Sequence, residues 1–337
     1  MAREWFEKRE RGSARLLNIA RRLVLLMGRR SAGALLWAIT VYYYTVLGDG
    51  RRALYRYYEA LWARKPTRRT IFHHYLMFAR TILDRVYFLA RRADAPRYEV
   101  CGFEAVTQHL ERGQGCVLLG AHLGSFEAAR IAASCRPDLK MQVIMDAQVS
   151  RKLNAALAVL HPGAHDSIVS LGTPTSLLRV KETIEQAGLV GIMGDRALAG
   201  EATYTRPFLG RNAIFPLGPL RLAATLRAPV FFFAALYRTA IDGSRYYEVV
   251  FEPLSAPAMG GCDRALWIDD LGERYTAALQ KYCRIAPDNW FNFYDFWYSQ
   301  TSCSSNLDVP AKPPSARGGA PMDCVHATAD ARPHGKS

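Results

Sequence analysis

The chain has 337 residues, 50% of them hydrophobic, and a net charge of +14; that is enough for one sizeable α/β domain plus an appendage. The charge is unevenly placed: residues 1–97 hold 21 Lys/Arg against 7 Asp/Glu, and residues 98–337 hold 23 of each. Seven cysteines are scattered without a C-x2-C pair, which argues against a zinc site and fits reduced core cysteines in a cytosolic body.

In chain order, Leu16, Ile19, Leu23 and Leu26 recur at helical spacing opposite a face with Arg15, Arg22 and Arg29. A basic amphipathic helix over 13–28 lies on anionic lipid. The longest uncharged stretch follows, Ser31 to Gly48, with Arg29-Arg30 before it and Arg51-Arg52 after it. As helix it spans ~27 Å, close to the minimum for crossing a bilayer. Its three tyrosines and one tryptophan favour the interface, so a monotopic or shallowly inserted anchor is expected rather than a single span. Further helices are expected over 50–63 and 67–93, separated by Pro66. No signal peptide is expected, because charges run through the first fifteen residues. A basic, aromatic segment also suits nucleic acid, but no zinc-finger spacing or RNP-like motif accompanies it, and no nucleic-acid partner is expected.

From Tyr98 the pattern changes to short apolar runs alternating with helical segments. Strands are predicted at 115–120, 141–145, 168–170, 189–193, 230–237 and 246–251, and helices at 124–134, 150–160, 175–186, 217–226 and 263–283. This alternation predicts an α/β fold, a mixed, mainly parallel sheet covered by helices. From Ser299 the composition falls to Ser, Pro, Gly, Ala and scattered charges, which predicts a disordered tail over 299–337. The expected organisation is a basic helical membrane-anchoring region (1–97), an α/β catalytic domain (98–298) and that tail.

The run Gly120-Ala121-His122-Leu123-Gly124-Ser125-Phe126-Glu127 sits where the apolar run Cys116–Leu119 gives way to a helical segment. On a regular helix, positions five apart diverge by ~140°. His122 and Glu127 therefore meet only if the backbone between them is irregular, and Gly124-Ser125 supplies that freedom. A carboxylate on one ring nitrogen fixes the tautomer and makes the other nitrogen a better base. A histidine at a strand end is also a common structural device, so the pattern alone leaves both readings open.

The Gly-Ala-His-Leu-Gly-x-x-Glu run resembles the His-x4-Asp/Glu box of glycerolipid acyltransferases, in the form typical of the late lipid A acyltransferase family. Members usually carry Asn-Trp before the acid, where this chain has Ser125-Phe126. Three other segments fit the resemblance. Gly188–Arg196 is a buried strand ending in Asp195-Arg196, at the strand end where α/β sites collect. Pro207–Pro219 resembles the family's F-x-G-x-x-A-x-x-P-x-G-P segment, and Arg211 within it either faces an anionic group or is solvated. Ala228-Pro229-Val230 enters a core strand. The aromatic segment Pro287–Trp297 matches the family's terminal Trp-rich segment in position but lacks its usual basic run; its rings either pack the core or line an acyl groove, and packing is the preferred reading.

The resemblance implies an acyltransferase with His122 as general base oriented by Glu127, and with Gly124, Ser125, Arg151, Asp195, Arg196 and Arg211 around the substrate. Arg151 and Lys152 begin a helix near the expected pocket mouth. His161 and His165 flank a Pro-Gly turn and are not read as metal ligands. No metal or cofactor is implied. The expected partners are a membrane lipid acceptor, an acyl carrier protein or coenzyme A thioester donor and an anionic membrane, at the cytoplasmic face of a bacterial inner membrane. The departures at 125–126 and 290–297 suggest a glycolipid other than lipid A, or an aryl-polyene-type lipid, as acceptor. No G-x-S-x-G elbow, P-loop or G-x-G-x-x-G occurs, against a serine hydrolase, nucleotide kinase or dinucleotide enzyme. A non-catalytic basic membrane- or nucleic-acid-binding protein, and a lipid-linked glycosyltransferase, are the competing readings; the latter lacks an Asp-x-Asp motif.

Overall fold

The computed structural model describes residues 31–90, 95–127, 139–145, 168–170, 174–197, 200–257, 263–297 and 324–325. The predicted helices over 13–28 and 150–160, most of the one over 124–134, and Arg151, Lys152, His161 and His165 lie outside the described residues.

Helix α1, Ser31–Val46, meets α2, Gly48–Trp62, at 91°. The break at Leu47 is held by Arg51, whose guanidinium donates to the carbonyls of Tyr44 and Thr45. Gly50 is required on α2: a Cβ there would sit 2.4 Å from the Tyr75 hydroxyl. Helix α3, Arg68–Leu89, starts at Thr67, whose hydroxyl accepts the Thr70 N–H as an N-cap. Tyr57, Tyr58, Ile71 and Tyr75 share one buried cluster with Leu119, Phe232 and Trp290. The helices on the N-terminal side of the boundary expected at residue 97 are thus part of the catalytic core's packing.

The main sheet runs β10-β1-β9-β8-β2-β5-β3-β4. Its strands are β1 (Arg97–Cys101), β2 (Cys116–Gly124), β3 (Met141–Met145), β4 (Ile168–Ser170), β5 (Leu189–Met193), β8 (Val230–Thr239), β9 (Arg245–Ser255) and β10 (Cys324–Val325). Only the β1–β10 and β8–β9 pairs are antiparallel. The mixed, mainly parallel α/β sheet is as the alternation predicts. β2 sits at its centre, buried on both sides from Cys116 to Ala121, which is why that run is apolar without alternation. Helices α4 (Phe103–Glu111), α5 (Pro174–Glu185), α6 (Gly218–Leu226) and α7 (Arg264–Ile285) complete the described fold. Asp263, predicted as the first residue of α7, is its N-cap, accepting from Ala265 and Leu266 N–H groups.

Four elements depart from the sequence reading. β1 and α4 are short and partly polar, and periodicity did not mark them. The segment 207–219, for which no strand was predicted, is mostly strand: β6 (Thr203–Phe208) and β7 (Arg211–Pro216) form a separate hairpin closed by Leu209-Gly210, both at positive φ. β10 lies inside the tail expected to be disordered and pairs with β1. Cys101 is disulfide-bonded, not a reduced core cysteine, whereas Cys116 and Cys283 are free and buried.

Candidate active site

The site grows from an irregularity in β2. The strand follows β8 in regular parallel register from Val117↔Val230 to Gly120↔Phe233, then shifts so that Gly124 faces Ala235. Four steps on β2 match two on β8, and His122 is in the middle of the extra length. Gly124 makes the return possible. It has φ +75°, and a Cβ there would lie 1.8 Å from the Ala235 carbonyl oxygen. The next N–H, from Ser125, donates to that same oxygen at 2.8 Å.

On the other side β2 keeps register with β5 from Cys116↔Leu189 to Gly120↔Met193. Two residues further along the chain from that last pair lie His122, still within β2, and Asp195, just past the end of β5. The two side chains therefore meet beyond the last paired rung, at the carboxyl end of β5. His122 Nδ1 lies 2.9 Å from Asp195 Oδ1, and the His122 backbone N–H donates to Oδ2 at 3.1 Å. Asp195 Oδ2 also accepts the Trp290 indole N–H at 3.2 Å. The Asp195 side chain is 1% exposed and that of His122 38%. Burial by itself would raise the Asp195 pKa, but the His122 charge and hydrogen bonds, together with the Arg196 charge, hold the carboxyl well below the usual range. A carboxylate only accepts, so Nδ1 carries a proton, and Nε2 is the ring nitrogen left to face a reacting group.

This corrects the expected His122–Glu127 pair. β2 remains extended to Gly124, past His122, and the acid that the ring meets is Asp195. Glu127 is buried with its Oε2 3.4 Å from Arg85 Nε on α3. Ser125 is buried as well, and Gly124 is fixed by the backbone it abuts. Phe126, standing where the family usually has Trp, packs edge-on against Phe233 with centroids 5.8 Å apart.

Arg196 joins the site. Its Nη2 donates to the Phe291 carbonyl at 2.7 Å, its guanidinium stacks 5.6 Å from the Tyr294 ring centre, and its buried Nε has no hydrogen-bond partner among the described residues. Arg211 is exposed at the start of β7, its guanidinium 5.6 Å from the Trp297 ring centre. Both arginines thus border the aromatic segment 290–297. Sequence reasoning weighed core packing against an acyl groove for that segment and preferred packing. Trp290 and Phe296 are fully buried as expected, but the segment also runs along β2: Leu123 bridges Trp290, and the Phe291 N–H donates to the His122 carbonyl at 2.8 Å. Beneath the site the Tyr275 hydroxyl and the Gly194 N–H both donate to the Gly120 carbonyl at 2.9 Å.

A half-exposed imidazole with one nitrogen locked by a buried carboxylate is built for accepting a proton from a substrate hydroxyl. No curated protein matches the chain. A family model described as bacterial lipid A biosynthesis acyltransferase matches residues 16–297, from before α1 to the end of the aromatic segment. The match takes in both strands of the His122–Asp195 pair and most of the chain, and on it the chain belongs to the bacterial lipid A biosynthesis acyltransferases.

Proposed function

We propose that this acyltransferase moves a fatty acyl group from an acyl thioester to a hydroxyl of a glycolipid or lipid A-like acceptor, with His122 as general base. The observation that carries the reading is the 2.9 Å contact between His122 Nδ1 and the buried Asp195 carboxylate. His122 Nε2 takes the acceptor hydroxyl proton as the oxygen attacks the thioester carbonyl carbon. The new C–O ester bond forms and the C–S bond breaks. The proton passes from His122 to the leaving thiolate, so the ring returns neutral and no redox partner is needed. Asp195 stabilises the imidazolium in between, the role that the sequence reading gave to Glu127. Glu127 acts by holding the end of β2 to α3.

Arg196 is the cation beside the reacting centre, suited to the thioester carbonyl as it gains negative charge. Arg211, further out, suits a phosphate of the acceptor or of the donor's carrier arm. The donor is acyl carrier protein or coenzyme A thioester. The departures from the family pattern at Ser125-Phe126 and in the terminal segment support an acceptor other than lipid A itself, such as an aryl-polyene-type lipid.

The acceptor comes from the membrane, at the cytoplasmic face of the inner membrane. Supporting this, α1 exposes Trp37, Tyr42, Tyr43 and Val46 within the strongly basic third of the chain. Among the described residues no single helix is long and apolar enough to cross a bilayer, and the bent α1–α2 pair passes that test by length and composition only. A right-angled pair with exposed aromatics on α1 and arginines at the bend suits shallow insertion.

The deciding experiment incubates purified protein with palmitoyl-coenzyme A or a palmitoylated carrier protein and, separately, a lipid A precursor and an extract of other glycolipids, and is paired with lipidomics of a deletion strain. Acyl transfer lost in His122→Ala is expected. Loss of one chain from lipid A on deletion would overturn the preference for another acceptor, and no change in any acylated lipid would overturn the enzyme's proposed reaction.

A further inference from the structure

Asp195 receives three donors on two oxygens: His122 Nδ1 on Oδ1, and the His122 backbone N–H and the Trp290 indole N–H on Oδ2. Without the indole, the His122 backbone N–H would be the remaining one of these donors on Oδ2, and the carboxylate would be tied to His122 alone. We infer that Trp290 is a positioning residue for the reaction, its indole N–H fixing the Asp195 carboxylate so that Oδ1 stays on Nδ1 of His122. The inference rests on the general-base reading of His122 given above.

Burial does not account for the indole nitrogen. Trp290 is fully buried against rings of Tyr57, Phe208 and Phe296, with centroids 5.2, 5.4 and 5.0 Å away. Phenylalanine would meet the same demand for an aromatic filler, with no polar atom to satisfy. The placement of the indole is also held from both sides. Asn289 clasps β8, its Oδ1 accepting the Tyr237 N–H at 2.7 Å and its Nδ2 donating to the Tyr237 carbonyl at 3.4 Å. On the other side Leu123 bridges Trp290 and the Phe291 N–H donates to the His122 carbonyl. The segment that carries the indole is therefore hydrogen-bonded to the strand that carries the base, and the N–H and the imidazole are referenced to one backbone. An indole that merely sought a partner for its own buried N–H would not need that second attachment.

Two replacements at 290 separate positioning from packing: Trp290→Phe, and β-(3-benzothienyl)alanine, which keeps the bicyclic shape and puts sulfur where the N–H was. With palmitoyl-coenzyme A as donor and a lipid A precursor as acceptor, both lower kcat about tenfold or more, the rate equivalent of one hydrogen bond to a charged group, with KM for the thioester unchanged. The acid limb of the kcat/KM profile moves to higher pH, because a carboxylate relieved of one donor holds the imidazolium proton more firmly. In an Asp195→Asn background neither replacement has a further effect. A packing role predicts the same loss in both backgrounds and no movement of the limb, and that result would overturn the inference. Nitrogen NMR of the His122 ring is read alongside. The wild type is expected in the Nδ1–H tautomer, with the Nε2–H form gaining share in both replacements. An unchanged tautomer in both also overturns the inference. If the wild type transfers no acyl group while the tautomer responds as stated, the proposed reaction fails and the positioning stands.

Discussion

Arg85 and Glu127 join helix α3 to the end of β2, Nε to Oε2 at 3.4 Å, with the carboxylate side chain 2% exposed and the arginine 31%. The acid of the His-x4-Glu box thus reports on the docking of an N-terminal helix. Arg85→Ala and Glu127→Gln should each lower the thermal midpoint and reduce acyl transfer together. Combined, they should lose less than the sum of the two, since neighbours coupled this closely show interaction energies of about 0.5–3 kcal/mol. Strictly additive losses in a double-mutant cycle would separate the two residues.

Removing the base should have a different signature. His122→Ala should fold with a near-normal midpoint and lose about 10²–10⁴ in rate. Asp195→Asn should approach that loss, because an amide in place of the carboxylate permits the wrong tautomer. Steady-state kinetics together with circular dichroism melts distinguish these from the Arg85–Glu127 variants, in which stability and rate fall together.

Gly124→Ala should be among the most damaging single changes. The new Cβ would meet a backbone oxygen at 1.8 Å, in a backbone conformation of φ +75° that alanine rarely adopts. A loss of at least about 2 kcal/mol is expected from strain at such a position, visible as a lowered urea midpoint or as insoluble protein. Gly210→Ala, also at positive φ but with nothing within 4 Å of its Cβ, should be milder.

Stability should fall on mild acidification. His74, on α3, is fully buried, with Nδ1 3.1 Å from the Tyr58 hydroxyl and the Phe291 and Phe293 rings edge-on to it. Burial, opposed by the neighbouring Asp288 charge, pushes its pKa down to about 4 from 6.5. The unfolded chain then binds the proton first. This contribution to stability is complete above pH ~6.5 and is lost as pH falls from there toward ~4. Urea midpoints measured between pH 7 and 4.5 should decline, and the decline should be shallower in His74→Phe. Equal slopes would place the responsible group elsewhere.

How much of this was legible in the chain depends on the range of the interactions. Strands β3, β4 and β5 are short, mostly apolar runs, and their limits coincide with the sequence reading. The β6–β7 hairpin was missed because Pro207, Pro216 and Gly210 signal a loop, while its pairing is made across the turn. At the site, His122, Asp195 and Arg196 were all named from sequence, but His122 was given to the wrong acid. Glu127 is five residues away along the chain, whereas Asp195 is brought in by the register of two parallel strands seventy-three residues apart. The signal was present as two matching phrases, Leu119-Gly120-Ala121-His122 and Ile192-Met193-Gly194-Asp195, each an apolar run that leads into a polar side chain. Trp290 could not be singled out among its aromatic neighbours, because its distinguishing property is a single N–H directed at another element.

Because His122 and Asp195 each follow by two residues the last paired rung of the β2–β5 ladder, Gly120↔Met193, the site doubles as a check on strand alignment. A slip of one residue between these strands would send one of the two side chains to the opposite face of the sheet while leaving most apolar contacts with a plausible substitute. Such a chain would remain compact and helical yet lack its base. Specific activity per mole of soluble protein therefore counts molecules whose central strands closed in the right register, a quantity that circular dichroism and sedimentation do not see.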